Sequence, residues 1–514
     1  MKERWTKEMT RSAVVVFAAC VAVAGVARDG TALPLLPYPH QVSLSSGVFK
    51  SMSLKHLLND VRSVVDGALP HEGYCLSVTE TGVRVCHADA SGLFYAHQTL
   101  IQLANGGNLE PIEIPCVEIT DYPAWGHRGV MLDDARHFLG KETVKKTIDL
   151  ISRYKMNVFH WHLTDDEGWR LELKRHPEVH TKGSVRPASM NHGSTEENMS
   201  WNGERYGPYF YTQEDVKEIV AYAAARHVTV IPEIDFPAHS RAVFVSHPEF
   251  TCEPEDSSLK VPWMKIGPQY QCYCAANEAG MAFMEDVLDE VCDLFPSEKI
   301  HIGGDECPLD NWLKCSKCRE LMSKLGISDA RDLQGRITKR LCAFLAKRGR
   351  RAVAWDETLS EKLPPNMTLQ LWREPEYGRR AASLGVEVIM SPRDWTYFSR
   401  PQGIADDPYQ YLGPTAITLP KAYSFSPCDG WSNEERQCMK GIECCCWGEM
   451  IWNWYDLGWK LWPRAFATAE VAWSGPNARS VNDFFVRARV HRMKILKEFV
   501  NPAPVPENVC EVSR

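Results

Sequence analysis

The chain has 514 residues, carries 58 Lys+Arg against 66 Asp+Glu for a formal net charge of −8, and is 44% hydrophobic and 24% charged. Its length leaves room for two domains, or for one large barrel with an appendage. The mild acidity excludes the electrostatic footprint of a nucleic-acid binder, and the composition is ordinary for a globular protein, if somewhat rich in Trp.

At the N-terminus, Lys2, Arg4, Lys7 and Arg11 precede an apolar run from Ser12 to Ala27 that ends Val-Ala-Gly-Val-Ala. A basic segment, an apolar stretch and small residues read as a signal peptide over 1–27, cut after Ala27. The alternative is an uncleaved anchor, although about 16 residues is short for a membrane span. No later stretch is apolar enough to cross a bilayer. The expected destination is the secretory pathway, ending outside the cell or in a lysosome-like compartment.

That destination decides how the 18 cysteines are read. Cys315-Ser-Lys-Cys318 looks like half a zinc site, but no second Cys-x-x-Cys completes it, and an oxidising compartment favours disulfides. Cys444-Cys445-Cys446 is an unusual run. Loss of Cys20 with the leader leaves an odd number, so at least one cysteine has no partner within the chain. Asn198-Met199-Ser200 and Asn366-Met367-Thr368 are candidate glycosylation sites.

Residues 28–121 read as a small α+β domain. They contain alternating runs, Tyr74 to Val78 and Gly82 to Cys86, then a helical pattern from Gly92 to Leu103 with Leu93, Ala96, Leu100 and Leu103 in register. Asp121-Tyr122-Pro123 marks the boundary.

A different rhythm occupies residues 122–500, ahead of a tail over 501–514. Short β-rich runs at 127–134, 156–163, 228–235, 299–306, 351–357, 368–372, 386–391 and 443–449 alternate with helical stretches. Among the helices are Lys141 to Tyr154, Gln213 to Arg226 and Met281 to Phe295. The second opens on Thr212 with Asp215 three residues on, a capping-box pattern. Eight such alternations predict a (β/α)8 TIM barrel, with a doubly wound open sheet as the runner-up. Barrel active sites lie at the C-terminal strand ends. Here those ends carry Asp133-Asp134, His162, Glu233 and Asp235, Asp305-Glu306, Trp355 and Glu357, Trp372, and Trp447 with Glu449.

The run His301-Ile-Gly-Gly-Asp-Glu306 closes the fourth strand. Its glycines let two adjacent carboxylates face one cavity, and paired carboxylates in unlike surroundings are the usual equipment for cleaving glycosidic bonds. Arg136 follows strand one, where a guanidinium could fork onto sugar hydroxyls or make an ion pair. His160 and His162 share one strand face and invite a zinc reading, with His239 as the third ligand, but further ligands of the right kind are missing. His239 could instead link an Asp from strand two to a catalytic carboxylate. Trp355, Trp372, Tyr397 and Trp447 could wall a pocket for one pyranose ring, or be core.

Taken together, Arg128 to Phe138, Asn157 to Arg170, Pro232 to His239, His301 to Glu306, Trp355-Asp-Glu357 and Trp447-Gly-Glu449 resemble glycoside hydrolase family 20, the β-N-acetylhexosaminidases. The resemblance spans nearly all of the mature chain, including a small domain ahead of the barrel. It implies Glu306 as general acid/base, Asp305 orienting the substrate's 2-acetamido group, and Asp165 and His239 as a relay behind Glu306. It further implies Arg136 and Glu449 on ring hydroxyls, Trp355, Trp372 and Trp447 around the sugar, and Tyr397 on the acetamido oxygen. It implies terminal β-linked N-acetylglucosamine or N-acetylgalactosamine as substrate, and a mechanism in which that acetamide is the nucleophile; the family is a recognised exception to the two-carboxylate scheme. Such chemistry asks for a raised Glu306 pKa and a charged Asp305.

Neither a metal nor a cofactor is expected. The expected partner is the glycan, with no nucleic acid and no membrane span once the leader is cut, and a homodimer is left open. One departure is Ser399, where the family has Asp two residues after the tyrosine. Either Ser399 binds the sugar's outer hydroxyls more weakly or Asp394 substitutes, which leaves gluco against galacto preference open. Ser399 also keeps alive a second reading, a catalytically impaired sugar-binding protein on the same scaffold.

Overall fold

The computed structural model describes residues 33–105, 111–194, 198–263, 271–359, 363–364, 366–404, 407, 415–476 and 478–506. The predicted leader and Cys510 lie outside these residues. Two compact units are present: 1–123 with 482–491, and 124–481 with 492–514.

The first unit is built on a five-stranded sheet. Its strand order is Gln41–Ser51, Ile112–Asp121, Tyr74–Thr79, Gly82–His87, Arg62–Val65, all neighbours antiparallel except the last pair. Tyr74, Leu76 and Val78 alternate inward from a strand whose other face is more open, as the period of two demands. The helix Ala90–Leu103 is capped by Asp89, whose side chain accepts from Gly92 N. Its buried face is Tyr95, Ala96, Thr99, Leu100 and Leu103. Leu93, expected on that face, is only half-buried, because it sits at the edge of the arc centred on Gly92, Thr99 and Leu103. Residues 482–491, expected with the barrel, belong to this unit: Arg487 donates to the Leu35 carbonyl, and His491 Nε2 lies 3.0 Å from the Pro34 carbonyl oxygen.

The second unit is a closed barrel of eight parallel strands. In chain order they are His127–Asp133, Val158–His162, Thr229–Glu233, Lys299–His301, Arg351–Trp355, Met367–Leu371, Glu387–Met390 and Met439–Cys446. The eighth pairs with the first, Gly441 opposite His127, which closes the ring and rules out the open sheet. All eight predicted runs hold strands, each ending short of the predicted end; the eighth begins at Met439, ahead of the predicted start at 443, and the sixth at Met367. The helix Gln213–Ala224 begins with the expected capping box, Thr212 and Asp215 bonding reciprocally. Lys141–Arg153 buries Val144, Ile148 and Ile151, and Glu278–Leu294 buries Met284, Val287 and Val291. Among the described residues no helix is long and apolar enough to cross a membrane.

The barrel interior is charged as well as apolar. Glu443 accepts from Gln370 Nε2 at 2.7 Å and pairs with His160 Nδ1 at 2.7 Å and His127 Nε2 at 2.8 Å. Glu233 pairs with His162 at 2.5 Å and His160 at 3.1 Å, and accepts from Trp355 Nε1 at 2.7 Å. Unpaired, each buried carboxylate would cost several kcal/mol. Burial works against a charged His160, but Glu443 and Glu233 outweigh it and carry the ring up to about 9.

Candidate active site

Strand four ends at His301, and Gly303 and Gly304 then turn the chain with φ of 64° and 99°. A Cβ at Gly303 would stand 1.7 Å from Asp235 Oδ1, so no side chain fits there. The Gly304 N–H donates to that same oxygen at 3.0 Å. The turn delivers Asp305 and Glu306 side by side. Glu306 itself has φ 46°, and His239 has φ 47°; two non-glycine residues held left-handed in facing loops mark backbone organised for its side chains. The Glu306 N–H donates to Glu357 Oε1 at 3.1 Å, so the strand-five carboxylate fixes the strained residue from behind.

His239 connects the strand-two loop to this pair. Its Nδ1 lies 3.1 Å from Asp165 Oδ1, and its Nε2 lies 3.3 Å from Glu306 Oε2 and 3.8 Å from Asp305 Oδ2. Asp165 is held in turn by His162 Nε2 at 2.8 Å and Arg136 Nη2 at 2.8 Å. The rings of His160 and His162 are thus paired with carboxylates on both sides; His160 with Glu233 and His301, and His239 with Asp165 and Asp235, also bring ligand-type atoms within 4.8 Å of one another.

The charges depart from the sequence-based expectation. Burial raises Asp305 to about 7, with His239 opposing and Glu306 adding to the rise. Burial also pushes Glu306 upward, yet His239, with its Nε2 3.3 Å away, outweighs it and holds Glu306 below its ordinary value. The expected raised Glu306 and charged Asp305 are therefore reversed in the free protein. Glu306 stands closer to the imidazolium and keeps a side chain 40% exposed, whereas Asp305 is buried. His239 stays well above its usual value: burial opposes the charge, but Asp165 and Asp305 sustain it.

Arg136 is more committed than its sequence position implied. Asp133, Asp165 and Glu167 hold its guanidinium at 3.0, 2.8 and 3.1 Å, and it lies over the Trp447 ring at 5.2 Å. Glu449 is near enough to feel Arg136, but burial raises its pKa first, and its Oε2 has no hydrogen-bond partner among the described residues. Asp305 Oδ1 and Trp372 Nε1 are likewise buried without such a partner. Unsatisfied buried polar atoms are expensive in a folded protein unless a ligand completes them.

Trp372, Tyr397 and Trp447 are half-buried and pack on a core of Met131, Trp355 and Cys445. Trp372 and Tyr397 stack at 6.4 Å, and Tyr397 meets Trp447 at 5.8 Å. Trp355, expected in the wall, has no exposed surface. It packs behind Trp447 at 5.8 Å with its N–H committed to Glu233. Ser399 is buried, with its carbonyl accepting from Lys460 at 2.7 Å, and Asp394 is paired with Arg400 at 2.6 Å.

Sequence reasoning gave no role to Glu357, Glu167 or Asp356. The last accepts from the Trp372 N–H at 3.1 Å and from Arg373 at 2.7 Å, and so sets the Trp372 backbone. The signal was present in their places at or just after strand ends, but a solvated loop acid looks the same in sequence.

The comparisons with known proteins agree with this fold. The model of "Glycosyl hydrolase family 20, catalytic domain" matches residues 125–476, and "Glycosyl hydrolase family 20, domain 2" matches 55–122. A beta-hexosaminidase of Porphyromonas gingivalis is 37% identical over 434 residues, 82% of this chain and 53% of that protein, so the chain spans about half of that relative's length. One from Akkermansia muciniphila is 32% identical over 469 residues, 90% of this chain and 91% of that protein. A crystal structure of a beta-N-acetylhexosaminidase superposes with a TM-score of 0.83 at 30% identity, covering 93% of this chain and 98% of that one. A Vibrio harveyi family 20 exo beta-N-acetylglucosaminidase, solved with N-acetylglucosamine, gives 0.81 at 29% identity, covering 93% and 80%. The chain belongs to glycosyl hydrolase family 20, and carries the family's domain 2 ahead of its catalytic barrel.

Proposed function

We propose that the chain is an exo-acting β-N-acetylhexosaminidase that removes terminal, non-reducing β-linked N-acetylglucosamine with retention, using the substrate's own acetamide as nucleophile. The observation that carries this reading is the line Asp165–His239–Glu306, with Asp305 beside it and the aromatic wall of Trp372, Tyr397 and Trp447 in the same barrel. The leader over 1–27 would deliver the enzyme to a secreted or lysosome-like compartment.

In this mechanism the acetamide carbonyl oxygen attacks the anomeric carbon while Glu306 protonates the departing oxygen. An oxazolinium intermediate forms, and Glu306 then takes a proton from the water that opens it. Asp305 holds the acetamide N–H and stabilises the positive charge that develops on that nitrogen. Tyr397 donates to the acetamide oxygen, and Trp372 and Trp447 press the group beneath the ring, so that attack is nearly unimolecular. Trp355 acts from behind, as the support of Trp447. Arg136 and Glu449 face ring hydroxyls, Arg136 with its orientation already set by three carboxylates.

In the free protein the surroundings favour a proton on Asp305, raised to about 7, over one on Glu306, whereas the reaction needs it on Glu306. Substrate supplies the exchange. An acetamide N–H bonded to Asp305 favours the carboxylate form, and a leaving group laid over the exposed Glu306 removes water and favours its acid form. Binding thereby moves the proton to the group that uses it.

The test is a chromogenic N-acetyl-β-glucosaminide assay run beside the galacto epimer and chitobiose. Turnover of the gluco substrate, lost in Glu306→Gln, is the expected result. Sugar binding without turnover would instead favour the impaired sugar-binding scaffold.

A further inference from the structure

Four cysteines that no catalytic role absorbs converge beside this site. Cys252, Cys274, Cys315 and Cys318 place their sulfurs all within 4.8 Å of one another. Cys318 Sγ is 3.8 Å from that of Cys252 and 3.5 Å from that of Cys274. In a tetrahedron with zinc–sulfur bonds of about 2.3 Å, the sulfurs stand about 3.8 Å apart. Two separate disulfides would need two close pairs, whereas here one sulfur is nearly equidistant from two others. We propose that these four side chains form a tetrathiolate centre for a soft divalent cation of the zinc class.

The local structure fits a metal knuckle. Cys315 ends the helix Leu309–Lys314 and begins the helix Ser316–Leu325, so Cys315 and Cys318 occupy the first turn of a ten-residue helix. The positive end of its dipole stabilises thiolates there. A cavity of about 420 Å³, lined by Lys314 and Lys317 but also by Glu249, Glu253 and Glu278, adjoins the four sulfurs and gives the ion a path in. Cys272 and Cys307 lie against each other just outside the four and are left to pair on their own.

The centre has a place in the architecture. Cys274 N donates to the Phe250 carbonyl at 2.7 Å, Tyr273 N to that of Pro237 at 2.9 Å, and Trp312 Nε1 to that of Tyr273 at 2.8 Å. An ion held by Cys252, Cys274, Cys315 and Cys318 would clamp the loop that carries His239 to the segment that follows Glu306. Cys315-x-x-Cys318 is therefore half of a site whose other half comes from a different loop with different spacing. A site divided in this way leaves no second Cys-x-x-Cys in the sequence.

The experiment is elemental analysis of the untagged full-length protein by inductively coupled plasma mass spectrometry, with thiol alkylation and peptide mapping. One ion per chain is expected, falling below a tenth in Cys315→Ser/Cys318→Ser, and the four thiols should alkylate only after denaturation with a chelator. A folded protein without metal, whose four cysteines map as disulfides or alkylate freely, overturns the proposal. Should the double variant not fold, wild-type protein produced with cobalt decides. The thiolate charge-transfer and tetrahedral d–d bands support the centre, and their absence overturns it. None of these readouts depends on catalysis, so they stand or fall apart from the proposed activity.

Discussion

Two clusters of the same residue types sit in one barrel, and they differ in how fully they are satisfied. The inner cluster joins Glu233 and Glu443 to His127, His160, His162, His301, Gln370 and Trp355; every oxygen of these two carboxylates has a partner, although His160 Nε2 and His301 Nε2 have no hydrogen bond of their own. The outer cluster joins Asp305, Glu306, His239 and Glu449 with Trp372. There Glu306 is exposed, its backbone is left-handed, and Asp305 Oδ1, Trp372 Nε1 and Glu449 Oε2 lack partners. Acid–histidine content does not separate structure from chemistry. Saturation of the carboxylates does, because a carboxylate whose oxygens are all paired has nothing left to offer a substrate.

The contrast can be broken most forcefully at Glu306. Glu306→Gln should lower kcat on unactivated substrates by about 10²–10⁴-fold, the usual worth of a positioned acid/base, while leaving the unfolding midpoint in place. Near-normal turnover would remove Glu306 from its role. Glu443→Gln should do the reverse. Stripping one charge from a buried network costs about 3–5 kcal/mol, read as a lower urea midpoint, with kcat of the folded fraction changed less than tenfold. An unchanged midpoint would mean that the inner network is not structural.

The proton shared by Asp305 and Glu306 sharpens the outer cluster. Asp305, raised to about 7, keeps that proton below neutrality and releases it above. The free enzyme then has no acid left for the leaving group, so kcat/KM should decline on the alkaline side with an apparent pKa near 7. In Asp305→Asn the repelling charge is gone, Glu306 releases its proton more readily, and the alkaline limb should move to lower pH, with kcat falling more than KM rises. A limb that stays in place would show the two carboxyls to be independent. The smallest effect is expected at Ser399. Its buried side chain and its carbonyl held by Lys460 leave little to lose, so Ser399→Ala should change the gluco-to-galacto ratio of kcat/KM less than twofold. A larger change would identify the hydroxyl as a sugar contact.

The sequence by itself determined the eight strands, the capping box at Thr212 and Asp215, the Gly303-Gly304 turn, and the strand-end residues that face the mouth. Those features are encoded by neighbours within a few positions: periodic burial, side chains that cap their own helix, and glycine where φ must be positive. Tertiary structure alone decided which of Asp305 and Glu306 holds the proton, that Trp355 backs the wall, and that three carboxylates seize Arg136. It also brought Cys252 and Cys274 to Cys315 and Cys318. These outcomes depend on distances between groups far apart in the chain and on how deeply each is buried. Charge interactions and metal geometry follow distance and burial, and neither can be read from spacing along the chain.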